Sequence, residues 1–186
     1  GTVPATGGSG YAGGIVGYAD RFVDIQTTYA TGAVTGATAG GLVGAMQAAT
    51  TSITDSVWDV DATGQASAVG NVGLGTIINV DSATSAEMKQ LSTFTGHGFD
   101  VDGQGGTGAT WRIYEGHTAP LLRSFMTGLT VTGGDGAKIH DGGATSSDVG
   151  TLTYDPAGYD PALIFGAPIY QASGTEIGVY GGAGLS

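Results

Sequence analysis

GGIVGYA at Gly13–Ala19 returns as GGLVGAM at Gly40–Met46. The two starts lie 27 residues apart (40 minus 13), and the agreement continues past the glycines. At a spacing of 28, Ile25 answers Ile53, and Thr28-Tyr29-Ala30 answers Ser56-Val57-Trp58. A period of this length marks stacked supersecondary units, each burying its apolar face only against its neighbours. It predicts a β-rich repetitive stalk rather than a self-contained enzyme.

Composition supports strands and corners. The chain of 186 residues has 37 Gly without a collagen-like period, and Gly, Thr, Ala and Val outnumber the strong helix formers. Glycine supplies positive φ at tight corners, while Thr and Val favour extended backbone. Sixteen acidic residues against five Lys plus Arg give a formal net charge of −11. Phosphate neutralisation needs a cationic face, so nucleic-acid binding is excluded, as is docking on anionic lipid. No apolar run reaches membrane-spanning length, so no membrane insertion is expected. The absence of cysteine fits a cytosolic protein or a bacterial exoprotein exported unfolded. No signal peptide is visible, and Gly-rich sequence at both ends marks the chain as a segment of a longer one.

Three segments follow from the pattern. Residues 1–83 form repeat coils, with short apolar islands separated by Gly, Thr and Asp: Ile15-Val16, Phe22-Val23-Ile25, Tyr29 and Val34, then Leu42-Val43, Ile53 and Val57-Trp58-Val60. A weaker third pass runs through Val69, Val72, Leu74, Ile77-Ile78 and Val80. Strands stacked in register across such coils make a parallel β-helix. Residues 84–126 add a helix at about Ser85–Leu91, with Thr84 and Glu87 at capping-box spacing and Met88 and Leu91 as its apolar stripe. That helix is expected to close the end of the stack. WRIYEG and PLLRSF then form two strands around a turn at Gly116–Pro120. Residues 127–186, with islands at Leu129, Val131, Leu152–Tyr154, Leu163–Phe165, Ile169-Tyr170 and Ile177–Tyr180, form a small antiparallel β domain. The fold class expected is all-β.

The chemistry-bearing residues give no site. Gly8-Ser9-Gly10-Tyr11-Ala12-Gly13 matches GxGxxG, but strand and turn sequence follows it where a dinucleotide fold needs a helix. His97, His117 and His140 lie in separate turn contexts, outside any HExxH or nucleophile elbow. Asp59-Val60-Asp61 and Asp100-Val101-Asp102 resemble the start of a calcium loop. The twelfth position from Asp100 is Trp111, where a bidentate Glu is required. They are read as turn aspartates, with a structural calcium as the only cofactor open. A glycosidase needs two facing carboxylates, and Asp20, Asp24, Asp55 and Asp59 are the available set, with Arg21 the only basic residue of the repeats. Trp58 and Trp111 are assigned to core or cap, ahead of a sugar-stacking platform. No catalytic, cofactor or metal residue is assigned.

GGIVG and GGLVG resemble the GLUG motif of large bacterial surface adhesins. SVWDVDATGQ (Ser56–Gln65), EMKQLSTFTG (Glu87–Gly96) and WRIYEGHTAPLLR (Trp111–Arg123) resemble the segment that ends such repeat regions in filamentous-haemagglutinin-like exoproteins, many exported by two-partner secretion. KIHDGGAT (Lys138–Thr145) and GVYGGAGLS (Gly178–Ser186) resemble the YDG/MBG-type modules arrayed after them, with His140 where those modules usually carry Tyr. The resemblance implies a rod-like extracellular segment for cell adhesion or biofilm matrix, without enzymatic activity. The implied partners are exopolysaccharide, a host or neighbouring-cell surface, and adjacent modules of the same chain. The alternatives are a carbohydrate-binding module and a polysaccharide-degrading enzyme.

Overall fold

A computed structural model of the chain describes residues 2–4, 10–103, 108–128, 130–134, 145–146, 150–155, 157–158 and 170–171. The protein is mostly β-sheet. Its first part comprises β1 (Thr2–Pro4), β2 (Tyr11–Gly13), β3 (Val16–Ala19), β4 (Asp24–Gln26), β5 (Tyr29–Ala30), β6 (Ala33–Thr35), β7 (Thr38–Gly40), β8 (Val43–Met46) and β9 (Ser52–Asp59). A one-turn helix α1 (Val60–Thr63) follows, then β10 (Val69–Val72) and β11 (Thr76–Ala83). Every strand pair among these is parallel: β1 with β6, β2 with β7, β3 with β8 and β8 with β10. Likewise β9 lies between β11 on one side and β4 and β5 on the other.

The registers match the sequence repeat residue for residue. Gly13 lies opposite Gly40, Val16 opposite Val43, and Ala19 opposite Met46. Ile25 lies opposite Ile53, and Tyr29-Ala30 opposite Val57-Trp58. The third pass continues the columns, with Val69 on Val43 and Ile77 on Ile53. One core fills the space between the ladders, built on Leu42, Val43, Met46, Ile53 and Trp58, with the small residues Ala19, Ala30 and Ala68 between them. Burying one Leu or Ile here contributes about 1.5–3 kcal/mol.

The glycines of the motif are a matter of space. A Cβ on Gly41 would overlap the Trp58 indole, whose ring nitrogen donates to the Gln65 carbonyl at 2.8 Å. A Cβ on Gly44 would overlap the Gly17 carbonyl and sit 2.6 Å from the Ala12 nitrogen. At Gly44 backbone meets backbone, so no side chain can be moved aside there.

A second column bends the chain. Thr27, Asp55 and Asn79 occupy one register position in successive passes, and all three have left-handed backbone, at φ 50°, 49° and 53°. Asp and Asn tolerate that region; a β-branched Thr there is rare. The bend breaks strict strand alternation, which would put Ile53 and Val57 on one face. Ile53 enters the first core, and Val57 enters a second one. The Asn79 amide ties the column, donating to Asp55 Oδ1 at 2.6 Å and to the Gly96 carbonyl at 3.0 Å.

That second core is made with the residues that follow. Thr84 and Glu87 form the expected reciprocal box, the Thr84 nitrogen reaching Glu87 Oε2 at 2.8 Å and the Glu87 nitrogen reaching Thr84 Oγ1 at 3.2 Å. The expected helix at Ser85–Leu91 is instead two short pieces, a 3-10 turn at Glu87–Lys89 and α2 at Leu91–Thr95. Gln90 between them is extended, and the Leu91 nitrogen donates to Glu115 of the later hairpin at 2.8 Å. Tertiary contact, not local propensity, therefore breaks the helix. Met88, Phe94, Phe99 and Ile113 pack on Val57 and Ala83, with Tyr29, Leu91, Val101 and Trp111 around them. Since Tyr29, Val57 and Ala83 belong to β5, β9 and β11, the segment covers the side of that sheet across all three passes.

β12 (Val101–Asp102) runs parallel to β13 (Trp111–Arg112), which pairs antiparallel with β14 (Leu121–Leu122). The hairpin expected around Gly116–Pro120 is present. Gly1–Met126 forms one compact unit and Thr127–Ser186 another. In the second, β15 (Thr130–Thr132) pairs antiparallel with β17 (Thr153–Asp155), and β16 (Thr145–Ser146) with β18 (Tyr170–Gln171). Leu129, Leu163–Phe165, Ile169, Ile177–Tyr180 and most of both YDG-like stretches lie outside the described residues.

Candidate functional site

A cleft of about 610 Å³ with a largely apolar lining lies beside the first pass. Ile15 and Thr27–Tyr29 form one wall, and Trp111, Pro120–Leu122, Phe125 and Met126 the other. Tyr29 sets the distance between the walls. Its ring packs edge-on to Phe94 and Trp111, and its hydroxyl donates to the Pro120 carbonyl, 91 residues along the chain. Burial pushes this phenol above its ordinary pKa, so it stays a neutral donor. Phe125 projects from the rim at 85% exposure. Such a cleft can hold an apolar or ring-shaped surface by stacking and desolvation; its described lining residues include no Ser, His, Asp, Glu or Lys.

A smaller hollow of about 320 Å³ lies beside β11 and α2, lined in part by Asp81, Glu87, Gln90, Thr93 and His97. His97 is buried, with Nδ1 2.9 Å from the Thr93 carbonyl and Nε2 3.0 Å from Asp81 Oδ2. Both partners are acceptors, so the imidazole joins α2 to the outermost strand. The sequence placed His97 in a loop; its link to Asp81 depends on an approach between segments that no local signal records. His117 lies in the hairpin turn, its nitrogen donating to the Tyr114 carbonyl at 2.8 Å, and His140 is outside the described residues.

The aspartates are tied to neighbouring chain. Asp59 accepts from the Ala62 nitrogen at 2.8 Å, capping α1, and from Ser85 Oγ at 2.8 and 2.9 Å. Asp61 accepts from the Ser85 nitrogen at 3.0 Å. Asp100 accepts from the Thr110 nitrogen and hydroxyl at 2.8 and 2.9 Å. Those bonds, the backbone one foremost and Arg123 after them, hold its carboxyl below the ordinary range. Among the described residues, no three His, Asp or Glu side chains are grouped to hold a metal ion.

The acids considered for glycoside hydrolysis are not brought opposite one another by the register. Asp24 faces Ser52, whose hydroxyl it accepts at 2.6 Å, and Asp55 stacks against Asn79. Asp20 lies at the surface, 3.9 Å from Arg21. Trp58 is buried in the first core, and Trp111 lies between the second core and the cleft. The GxGxxG match also has a structural role, since its Tyr11-Ala12-Gly13 portion is strand β2.

Compared with family models, with curated proteins and with solved structures, the chain matches none.

Proposed function

We propose that residues 1–83 are coils of a parallel β-helix and that the chain is a structural and adhesive stalk segment of a large bacterial surface or secreted adhesin. The family meant is the GLUG-motif, filamentous-haemagglutinin-like class. The observation that carries this reading is the in-register stacking of the GG[IL]VG corners and of Ile25, Ile53 and Ile77 in one column. Continuous parallel ladders resist bending and can hold a binding region away from a cell. Extracellular location and contact with exopolysaccharide or another cell surface belong to the same proposal.

The aromatic cleft favours one second reading, a carbohydrate-binding module, because Trp111 and Phe125 line it together with Thr27 and Thr28. A glycan array and a reducing-sugar assay on the whole chain separate the readings. Silence in both supports the stalk. Saturable, sugar-specific binding lost in Phe125→Ala supports the module, and release of reducing ends overturns both.

A further inference from the structure

The outer edge of the third pass is open. Among the described residues, β10 pairs only with β8 and β11 only with β9, so each has one unpaired edge. The lateral segment 84–126 reaches β11 through Gly96 and His97, at the side chains of Asn79 and Asp81, and leaves Val72, Leu74, Ile77 and Ile78 exposed, Leu74 at 72%. Natural edges are blunted by Lys, Pro or bulges. Residues 69–83 contain no Lys, Arg or Pro, and Asp81, already bound to His97, is their single charge. At the opposite end, among the described residues, β2, β3, β4 and β5 of the first pass likewise pair on one side only, while β6 carries β1; Tyr11, Ile15, Tyr18 and Phe22 of this pass are exposed.

The left-handed column decides what can fit. A strand laid on β11 must follow the bend at Asn79, and a straight or antiparallel strand does not. The first pass carries the same bend at Thr27, at the same register position. We infer that the open edge of β10 and β11 binds the first pass of a second copy of this chain, head to tail, continuing the parallel ladders. Extending the observed registers puts Ile77 on the second copy's Ile25, Asn79 on its Thr27 and Val69 on its Val16. The contact is heterologous, so it propagates instead of closing. The net charge of −11 opposes it, so added salt strengthens it. The inference goes beyond the stalk reading and rests only on the strand registers; its failure leaves that reading standing.

Sedimentation velocity of the whole chain across a wide concentration range tests it. Species larger than a dimer, growing with concentration and with salt, are expected. Ile78→Lys at the third pass and Tyr18→Lys at the first, both exposed positions, each abolish them without changing the circular dichroism. Mixed together, the two variants form a dimer and nothing heavier, since each retains one working end. A monomer at every concentration overturns the proposal. So does a dimer formed by Tyr18→Lys alone, which would mean that the open edge pairs with itself.

Discussion

The two halves of the first unit are built on opposite plans. Residues 11–83 reuse a few columns of small and branched side chains, and each contact recurs one pass later. Residues 84–126 are held by single, unrepeated contacts among large rings: Phe94, Phe99, Trp111 and Tyr29 lie with centroids 5.2 to 6.4 Å apart. Small residues and close backbones give the ladders a register that cannot slip without a clash. The aromatic half depends on a few large surfaces, and losing one of them loses much of the packing.

This contrast orders the expected effects of substitution. Phe94 is fully buried at the centre of the ring cluster, so Phe94→Ala should cost about 3–5 kcal/mol in denaturant unfolding. The loss should show first in the near-ultraviolet circular dichroism of the rings; simultaneous loss of the β signal would mean the halves do not differ. Gly44→Ala should cost roughly 1–3 kcal/mol through overpacking against the Gly17 carbonyl. Gly108→Ala, with open space around it, is the control and should change stability by less than about 0.5 kcal/mol. Asp59→Ala removes the α1 cap and the anchor for Ser85, at about 1–2 kcal/mol in the same measurement.

The smallest effect is an acid one, confined to the lateral half. Hydrogen bonds from the Thr84 backbone and hydroxyl hold Glu87 below its ordinary range, and those from Thr110 do the same for Asp100. A carboxyl depressed in the folded state stabilises above its unfolded pKa, and that stabilisation is lost as pH falls through the folded value. Tryptophan fluorescence should therefore report loosening around Trp111 only in strong acid, once the pH falls below the ordinary carboxylate range. Asp100→Asn should flatten that response; an unchanged pH profile would remove Asp100 from the account.

The repeat half was largely legible in the sequence because its contacts are periodic. Pairing Ile25 with Ile53 and Tyr29-Ala30 with Val57-Trp58 required only a constant offset, and the structure has those pairs. The left-handed column was equally within reach: Thr27, Asp55 and Asn79 recur at offsets of 28 and 24, and Asp and Asn are the residues that tolerate such backbone. The lateral half was legible only locally. The Thr84–Glu87 box and the hairpin were predicted from spacing, whereas the break at Gln90 comes from Glu115, 24 residues from Leu91. Tyr29 read as one more strand residue, because nothing near it in sequence points to Pro120. His97 was missed for the same reason.

The Tyr29–Pro120 bond has a consequence for how the unit comes apart. Stacks of repeats ordinarily fray from their ends, since each repeat is held only by its neighbour. Here the segment that ends the first unit is fastened to the first pass. Peeling away the first pass would strip Tyr29 from its ring partners and expose the second core at once. Folding must likewise wait for a closure spanning 91 residues, which makes the final step slow and all-or-none rather than progressive.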